Sequence, residues 1–455
     1  MLGVIAPFGM MAAFNLPAVG GMSIIGTDLT LLVLVCMLAL QPSGTRLMAS
    51  ALLTNRIGLR LFAFYLCAII ITLFAPRLFA GETEVFSIAR TANSLGIVSR
   101  PLLPSNGNLS QLLRMSLSIL AFALAFGVLY LRPDARLVLR TIVAATVVHV
   151  GLGVIDILTQ ATGLSYLLDP IRTANYALTL GQQMAGLNRV IGGFPEASSY
   201  GYFTMGLFGF WLRFWYADKS GAPWVSFFLG AVVLIWLRGT SSSAYVAGGL
   251  LLVVFAVTVS SLSRVGETRR RTASILFLGL AALPVGAAII VLLYQIAPSF
   301  TDFIDRSLLN KIGSDSGQER MSWNIQALRN LVDTWGLGAG LGSVRASNWF
   351  IASLATTGLI GTGLYVWFLV GVFSLKVPST KNDSASHIIS ALKWGCFGFL
   401  CRGLVVQASP NLQIIFFLFA GMAVGLAVAE RSRLLKQGRH TFVSTRDGQL
   451  GQAKT

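Results

Sequence analysis

The chain has 455 residues, of which 55% are hydrophobic and only 11% charged, with a formal net charge of +17. A soluble domain carries about 25% charged residues, so this composition cannot hide an ordinary globular core behind a hydrated surface. Soluble enzymes and nucleic-acid-binding domains are excluded. The expected fold class is an all-α polytopic membrane protein, and its basic excess is a topology signal, because Lys and Arg gather on the cytoplasmic side.

A helix crosses the hydrocarbon core with about 20 apolar residues. On that measure about twelve spans are predicted, at 3–20, 26–41, 58–75, 110–131, 138–158, 198–216, 222–238, 241–262, 273–297, 349–375, 388–406 and 412–429. Together they make residues 1–429 one transmembrane domain. The N-terminus has neither a basic stretch nor an A-x-A site, so it is read as the first span rather than a removable signal peptide. Cys36, Cys67, Cys396 and Cys401 fall in apolar runs without a CxxC pair, and His149, His387 and His440 are scattered. No metal site or cofactor is expected.

Orientation follows from the short basic loops. They contain Arg46, Arg56 and Arg60, then Arg132, Arg136 and Arg140, then Arg264 and Arg269 to Arg271, then Lys376 and Lys381. These loops and both termini are placed in the cytoplasm. The polar tail 430–455, with Arg431, Arg433 and Lys436, is expected to be a disordered cytoplasmic extension. The opposite side receives three longer loops, roughly 76–109, 159–197 and 298–348.

The last of these loops is the most informative. Ser316-Gly317-Gln318-Glu319 has the spacing of a capping box. Met321, Ile325, Leu328 and Val332 then form a helical stripe. The helix is too polar to span, so it is expected to lie on the membrane face, apolar side down. The glycine run 336–342 ends it. That run has G-x-G spacing but lacks the Lys-Ser/Thr of a phosphate loop and any strand before it. Either a backbone that approaches a ligand closely or a flexible helix exit fits.

Four arginines stand at outer span ends or in the outer loops: Arg189, Arg238, Arg320 and Arg345. Arginine near hydrocarbon is costly. Snorkelling to lipid headgroups explains any one of them; four at one mouth point to an anionic ligand such as a diphosphate, which guanidinium groups grip bidentately. Glu196 follows Pro195 at the start of the sixth span, either as a helix-start carboxylate or as a general base or sugar ligand. His149 and Asp156 lie seven residues apart on one helix face, as a functional pair or a buried structural hydrogen bond. No D-x-D motif occurs, which weakens a metal-dependent nucleotide-sugar transferase.

Residues 316–361, with the Ser-Gly…Trp helix, the Gly-x-Gly turn, the Asn348-aromatic span entry and the closing Thr-Gly-Leu-Ile-Gly, resemble the O-antigen ligase/polymerase superfamily. The segments 189–202 and 237–249 add to the resemblance, which covers roughly the C-terminal 60% of the chain. It implies glycan joining at the outer face of the bacterial cytoplasmic (inner) membrane. The implied donor is a polyprenyl-diphosphate-linked oligosaccharide, and the implied neighbours are other polysaccharide-assembly membrane proteins. Arg189 and Arg320 match the family's diphosphate-binding arginines. Arg238 matches less closely, because it precedes the serines that the family's arginine follows. Ser347 stands where ligases have a His before the Asn matched by Asn348. A serine hydroxyl is a poor base at neutral pH, so the chain looks more like the superfamily's exopolysaccharide polymerases, with Glu196 as the replacement base.

The expected reaction is a metal-independent, inverting glycosyl transfer. Glu196 and Arg320 are its catalytic candidates, and Arg189, Arg238, Arg345, Ser347 and Asn348 its substrate contacts. A ligase proper, a transporter or flippase for lipid-linked glycans, and a scaffold of an assembly complex are the alternatives. No internal repeat of the kind transporters show is visible.

Overall fold

The structure is a computed structural model that describes residues 1–16, 22–91, 94–176, 178, 181–184, 187–218, 220–239, 241–262, 315–376 and 384–452. It is mostly helical. Seven helices among the described residues are long and apolar enough to cross a membrane: α4 (Arg56–Leu78), α5 (Asn106–Leu131), α6 (Ala135–Thr162), α9 (Ser242–Leu262), α11 (Trp349–Phe373), α12 (Ser384–Val405) and the Gln413–Leu435 part of α13 (Gln413–Gln452).

The difference from twelve has local causes. Residues 3–20 do not form a span: α1 (Leu2–Ile5) stops before Pro7 and Gly9, and β1 (Ala12–Leu16) pairs antiparallel with β2 (Met22–Ile25). Apolar composition cannot register these breakers. The second span is broken too. α2 (Gly26–Ala39) and α3 (Gly44–Leu53) meet at 110°, with Ser43 at φ 68° between them, and the pair makes an eighth crossing only if counted as one. α8 (Pro223–Arg238) has just 16 residues. α7 (Ala197–Ala217) is rich in Tyr, Trp, Ser and Gly, hence less hydropathic, yet it is buried along nearly its whole length, as an interior helix is. The ninth predicted span, 273–297, lies outside the described residues. At the C-terminus the helix runs from Gln413 to Gln452. Extending an existing helix needs no new nucleus.

α7 packs between α12, α8 and α9, while α13 runs along α5 and α12. Trp211, Phe210, Phe399, Phe417 and Phe419 fill the space between them. Glycines permit the close crossings: a Cβ on Gly209 would lie 2.2 Å from the Trp394 carbonyl oxygen, and one on Gly398 would lie 2.1 Å from that of Met205.

At one end of the bundle the connections knit together. β3 (Glu84–Thr91) and β4 (Ser94–Pro101) form an antiparallel hairpin. Against it lies α10 (Asp315–Asp333), whose Gln326 and Asn330 side chains donate to the Glu84 carbonyl at 2.6 and 2.7 Å. A helix thus covers the residues that follow the expected capping box, whose Ser316 side chain lies outside the described residues. Its amphipathicity faces outward: Ala327, Asn330 and Thr334 are buried, whereas Met321, Ile325, Leu328 and Val332 are exposed, Val332 by 73%.

The glycine run joins α10 to the bundle. α11 is broken at Gly358 (φ 66°), which frees backbone groups in the middle of the helix. The run fills that break: the Ala339 and Gly340 N–H groups donate to the Ala355 and Thr356 carbonyls at 2.8 and 2.9 Å, and Leu359 N–H donates to Gly336 at 2.9 Å. Gly336, Gly338, Gly340 and Gly342 all have positive φ. A Cβ on Gly338 would lie 2.5 Å from the Gly358 nitrogen. The run is therefore a backbone strap packed against backbone, neither a ligand cradle nor a loose exit. Irregular backbone at such a depth is tolerated where protein satisfies it.

Candidate functional site

The segment carrying Arg189 and Glu196 is fixed from below by a buried ion pair. Asp156, near the end of α6, accepts from the Ile191 and Gly192 N–H groups at 2.8 and 3.0 Å and pairs with Arg172 at 2.6 Å. Arg172 also donates to the Gly192 carbonyl at 2.7 Å. Every oxygen of the Asp156 carboxylate is thus occupied in holding the turn before α7. His149 is not its partner. Its Nε2 shares a 2.8 Å hydrogen bond with Thr204 Oγ1, and its ring stacks on Tyr200 at 4.1 Å. The structural alternative holds for both residues.

Glu196 occupies the N-cap of α7 with extended backbone (φ −152°, ψ 157°), yet its side chain does not cap the helix. The exposed carboxylate accepts instead from the hydroxyls of Ser198 and Ser199. Arg189 sits beside it. Its Nη1 donates to Gln182 Oε1 at 3.0 Å, while its Nε is buried without a partner. Burial pushes the Arg189 guanidinium below its ordinary range, Glu196 opposes this, and the charge of Arg320 reinforces it. The two arginines matched from sequence to a diphosphate are therefore close enough to feel each other.

Arg345 joins from the strap side. Burial lowers its pKa as well, opposed by Glu319 and Glu196. Its guanidinium carbon lies 4.3 Å from the Trp323 ring centroid, and both Arg345 Nε and Trp323 Nε1 lack partners. Ser347 is buried; its N–H donates to Asn324 Oδ1 at 2.8 Å and its carbonyl accepts from Gln407 N–H at 3.2 Å. Asn348 caps α11, accepting from the Phe350 and Ile351 N–H groups at 2.8 and 3.2 Å, and its amide donates to the Leu404 carbonyl. Arg238 donates to the Asn188 carbonyl at 3.1 Å and so braces the neighbour of Arg189. In this structure the Asn348 and Arg238 side chains hold backbone, and Ser347 is itself held through its own backbone groups.

Sequence reasoning missed Arg402. It lies in the last turn of α12, 1% exposed. Nη1 donates to Val406 at 2.9 Å and Nη2 to the Ser198 carbonyl at 3.0 Å, with Nε unpartnered. Glu196, Arg320 and Arg189 are all within its electrostatic reach. The signal was present: an arginine inside the span predicted at 388–406 is costly and needs a reason.

Arg189, Arg320, Arg345 and Arg402 thus share one neighbourhood with Glu196 and Glu319, and 4 − 2 leaves an excess charge of +2. No direct ion pair neutralises it, since Arg172–Asp156 is the one pair formed between described residues. Three guanidinium Nε donors in the group, on Arg189, Arg345 and Arg402, are buried and unpartnered. Such a cluster has the charge and the donors to hold a compact dianion, and the Glu196 carboxylate lies alongside it. Among the described residues no three His, Cys, Asp or Glu side chains gather as metal ligands. The chain matches no known protein family, no curated protein and no solved structure.

Proposed function

We propose that this chain is a membrane glycosyltransferase that polymerises polyprenyl-diphosphate-linked oligosaccharide units at the outer face of a bacterial cytoplasmic membrane. The observation that carries the reading is the convergence of Arg189, Arg320, Arg345 and Arg402 around Glu196. With Glu319 counted, their excess of +2 offsets the two negative charges of a diphosphate with one on each phosphate. The polarity of the bundle supports the orientation. Arg56 and Arg60 begin α4, and Arg136 and Arg140 begin α6, both at the ends away from this cluster. Basic residues there fit a cytoplasmic face.

In the proposed step a hydroxyl oxygen of the acceptor attacks the donor's anomeric carbon as the bond to the diphosphate oxygen breaks. The hydroxyl proton passes to Glu196, and the leaving diphosphate keeps the electron pair. Charge grows on the departing oxygens, so fixed guanidinium groups favour the transition state over the ground state. Their buried Nε donors, without protein acceptors, are available for that role. The outward stripe of α10 supports lateral entry, because it would rest in the outer leaflet and leave the carrier's polyprenyl tail in lipid.

One feature favours a second reading, transport: α11 is discontinuous, as are many transporter helices at their substrate sites. Here, however, the strap occupies the carbonyls of the break. The test is reconstitution with a single lipid-linked repeat unit. A ladder of product lengths supports polymerisation. Single transfer to a distinct acceptor makes the chain a ligase, and accumulation without a new glycosidic bond makes it a transporter.

A further inference from the structure

Resting on that reading, we propose that Trp323, with Arg345 beside it, forms a subsite for the sugar ring next to the diphosphate, Arg345 adding its charge to the cluster and its Nε–H to the sugar. The pair sits on two elements that the bundle fixes relative to each other. Trp323 is on α10, which is anchored to the hairpin through Gln326 and Asn330. Arg345 is on the strand of chain that follows the strap, anchored to α10 through Ser347 N–H and Asn324 at 2.8 Å. The guanidinium lies over the indole with its carbon 4.3 Å from the ring centroid.

Three features point to a sugar rather than to a structural stack. Trp323 Nε1–H and Arg345 Nε–H are both buried donors without acceptors, an arrangement that native proteins seldom leave unsatisfied. The rest of both side chains is only half-buried, so a ligand has access to the pair. Arg345 is within the electrostatic reach of Glu196, the proposed base. The Arg345 guanidinium covers one face of the indole, so a pyranose meets the pair at its rim, where the two N–H groups can donate to its hydroxyl oxygens. The phosphates, by contrast, need the fork and charge of Arg189, Arg320 and Arg402.

The experiment compares two probes on the purified full chain in detergent, by native mass spectrometry: undecaprenyl diphosphate, and the same lipid carrying one N-acetylhexosamine. The wild type is expected to prefer the glycosylated lipid by about tenfold. Trp323→Ala should reduce that preference to about twofold or less, with affinity for the bare carrier nearly unchanged. Trp323→Phe keeps an aromatic ring under Arg345 while removing the N–H and the second ring, so it should give an intermediate preference and guards against misfolding of the Ala variant. An unchanged preference in both variants, or equal loss of both lipids in Trp323→Phe, would overturn the subsite while leaving the diphosphate reading intact. A wild type that binds neither lipid would overturn both.

Discussion

Arg402 Nη2 donates a 3.0 Å hydrogen bond to the carbonyl of Ser198, two residues from Glu196, and so ties the last turn of α12 to the first turn of α7. A fully buried guanidinium in that position both holds the backbone at Ser198, in the turn that follows Glu196, and adds positive charge to the cluster. Arg402→Lys keeps the charge but loses the fork. Hydrogen bonds involving a charged group contribute about 1.5–3 kcal/mol. The variant should therefore lose about 10- to 100-fold in polymer formation by reconstituted protein. Wild-type product yield from Arg402→Lys would reduce Arg402 to packing.

Glu196→Gln preserves the shape and the serine contacts of the side chain while removing its ability to take a proton. A positioned general base contributes about 10²–10⁴ in rate, so product formation should fall by that order with carrier binding retained. Measuring both on the same preparation separates a lost base from a lost site. If binding falls and turnover per bound substrate does not, Glu196 is a ligand-positioning group.

The Asp156–Arg172 pair is a stability device for the same segment. Removing one partner of a buried pair costs about 3–5 kcal/mol, because the other charge is left without compensation. Asp156→Ala should lower the melting temperature in detergent sharply. Arg172→Met in the Asp156→Leu background should recover part of the loss. A melting temperature for Asp156→Ala within error of the wild type would contradict the clamp.

The glycine strap predicts opposite outcomes for the same substitution at two sites on one helix. Gly358→Ala introduces a Cβ at φ 66°, 2.3 Å from the Leu337 carbonyl oxygen, and should destabilise the protein severely. Gly363→Ala meets no atom within 4 Å and should be neutral or stabilising by up to about 1 kcal/mol. Thermal melts of the two variants in parallel make the comparison.

The outward stripe of α10 predicts its surroundings. A spin label on Val332→Cys, in a background without the four native cysteines, should be more accessible to oxygen than to a water-soluble nickel chelate. A label on Arg329→Cys should show the reverse. Equal accessibility at both would place α10 in water.

Much of the bundle was legible because apolar runs with few breakers have one outcome in a bilayer. The span predicted at 110–131 is the helix Asn106–Leu131, and that at 138–158 is Ala135–Thr162. The reading differed at the N-terminus, where Ala12–Leu16 pairs with Met22–Ile25 as strands after a helix that stops before Pro7, which hydropathy alone does not register. At the site, the loop residues Arg189, Glu196, Arg320 and Arg345 could be singled out because charge is scarce in this chain. Their proximity is a tertiary fact, as is the role of Arg402, which an apolar span concealed. Glycine spacing announced an unusual backbone at 336–342, but its partner, the break at Gly358, lay hidden in an otherwise continuous helical pattern.

The central claim is that the arginine cluster grips a diphosphate. Affinities of the purified chain for undecaprenyl diphosphate and undecaprenyl monophosphate test it most directly, in the wild type and in Arg189→Gln/Arg320→Gln. The account predicts that the diphosphate binds at least about tenfold more tightly and that the double variant abolishes the difference. Equal affinity for the two lipids in the wild type, or a preference that survives in the double variant, would contradict it.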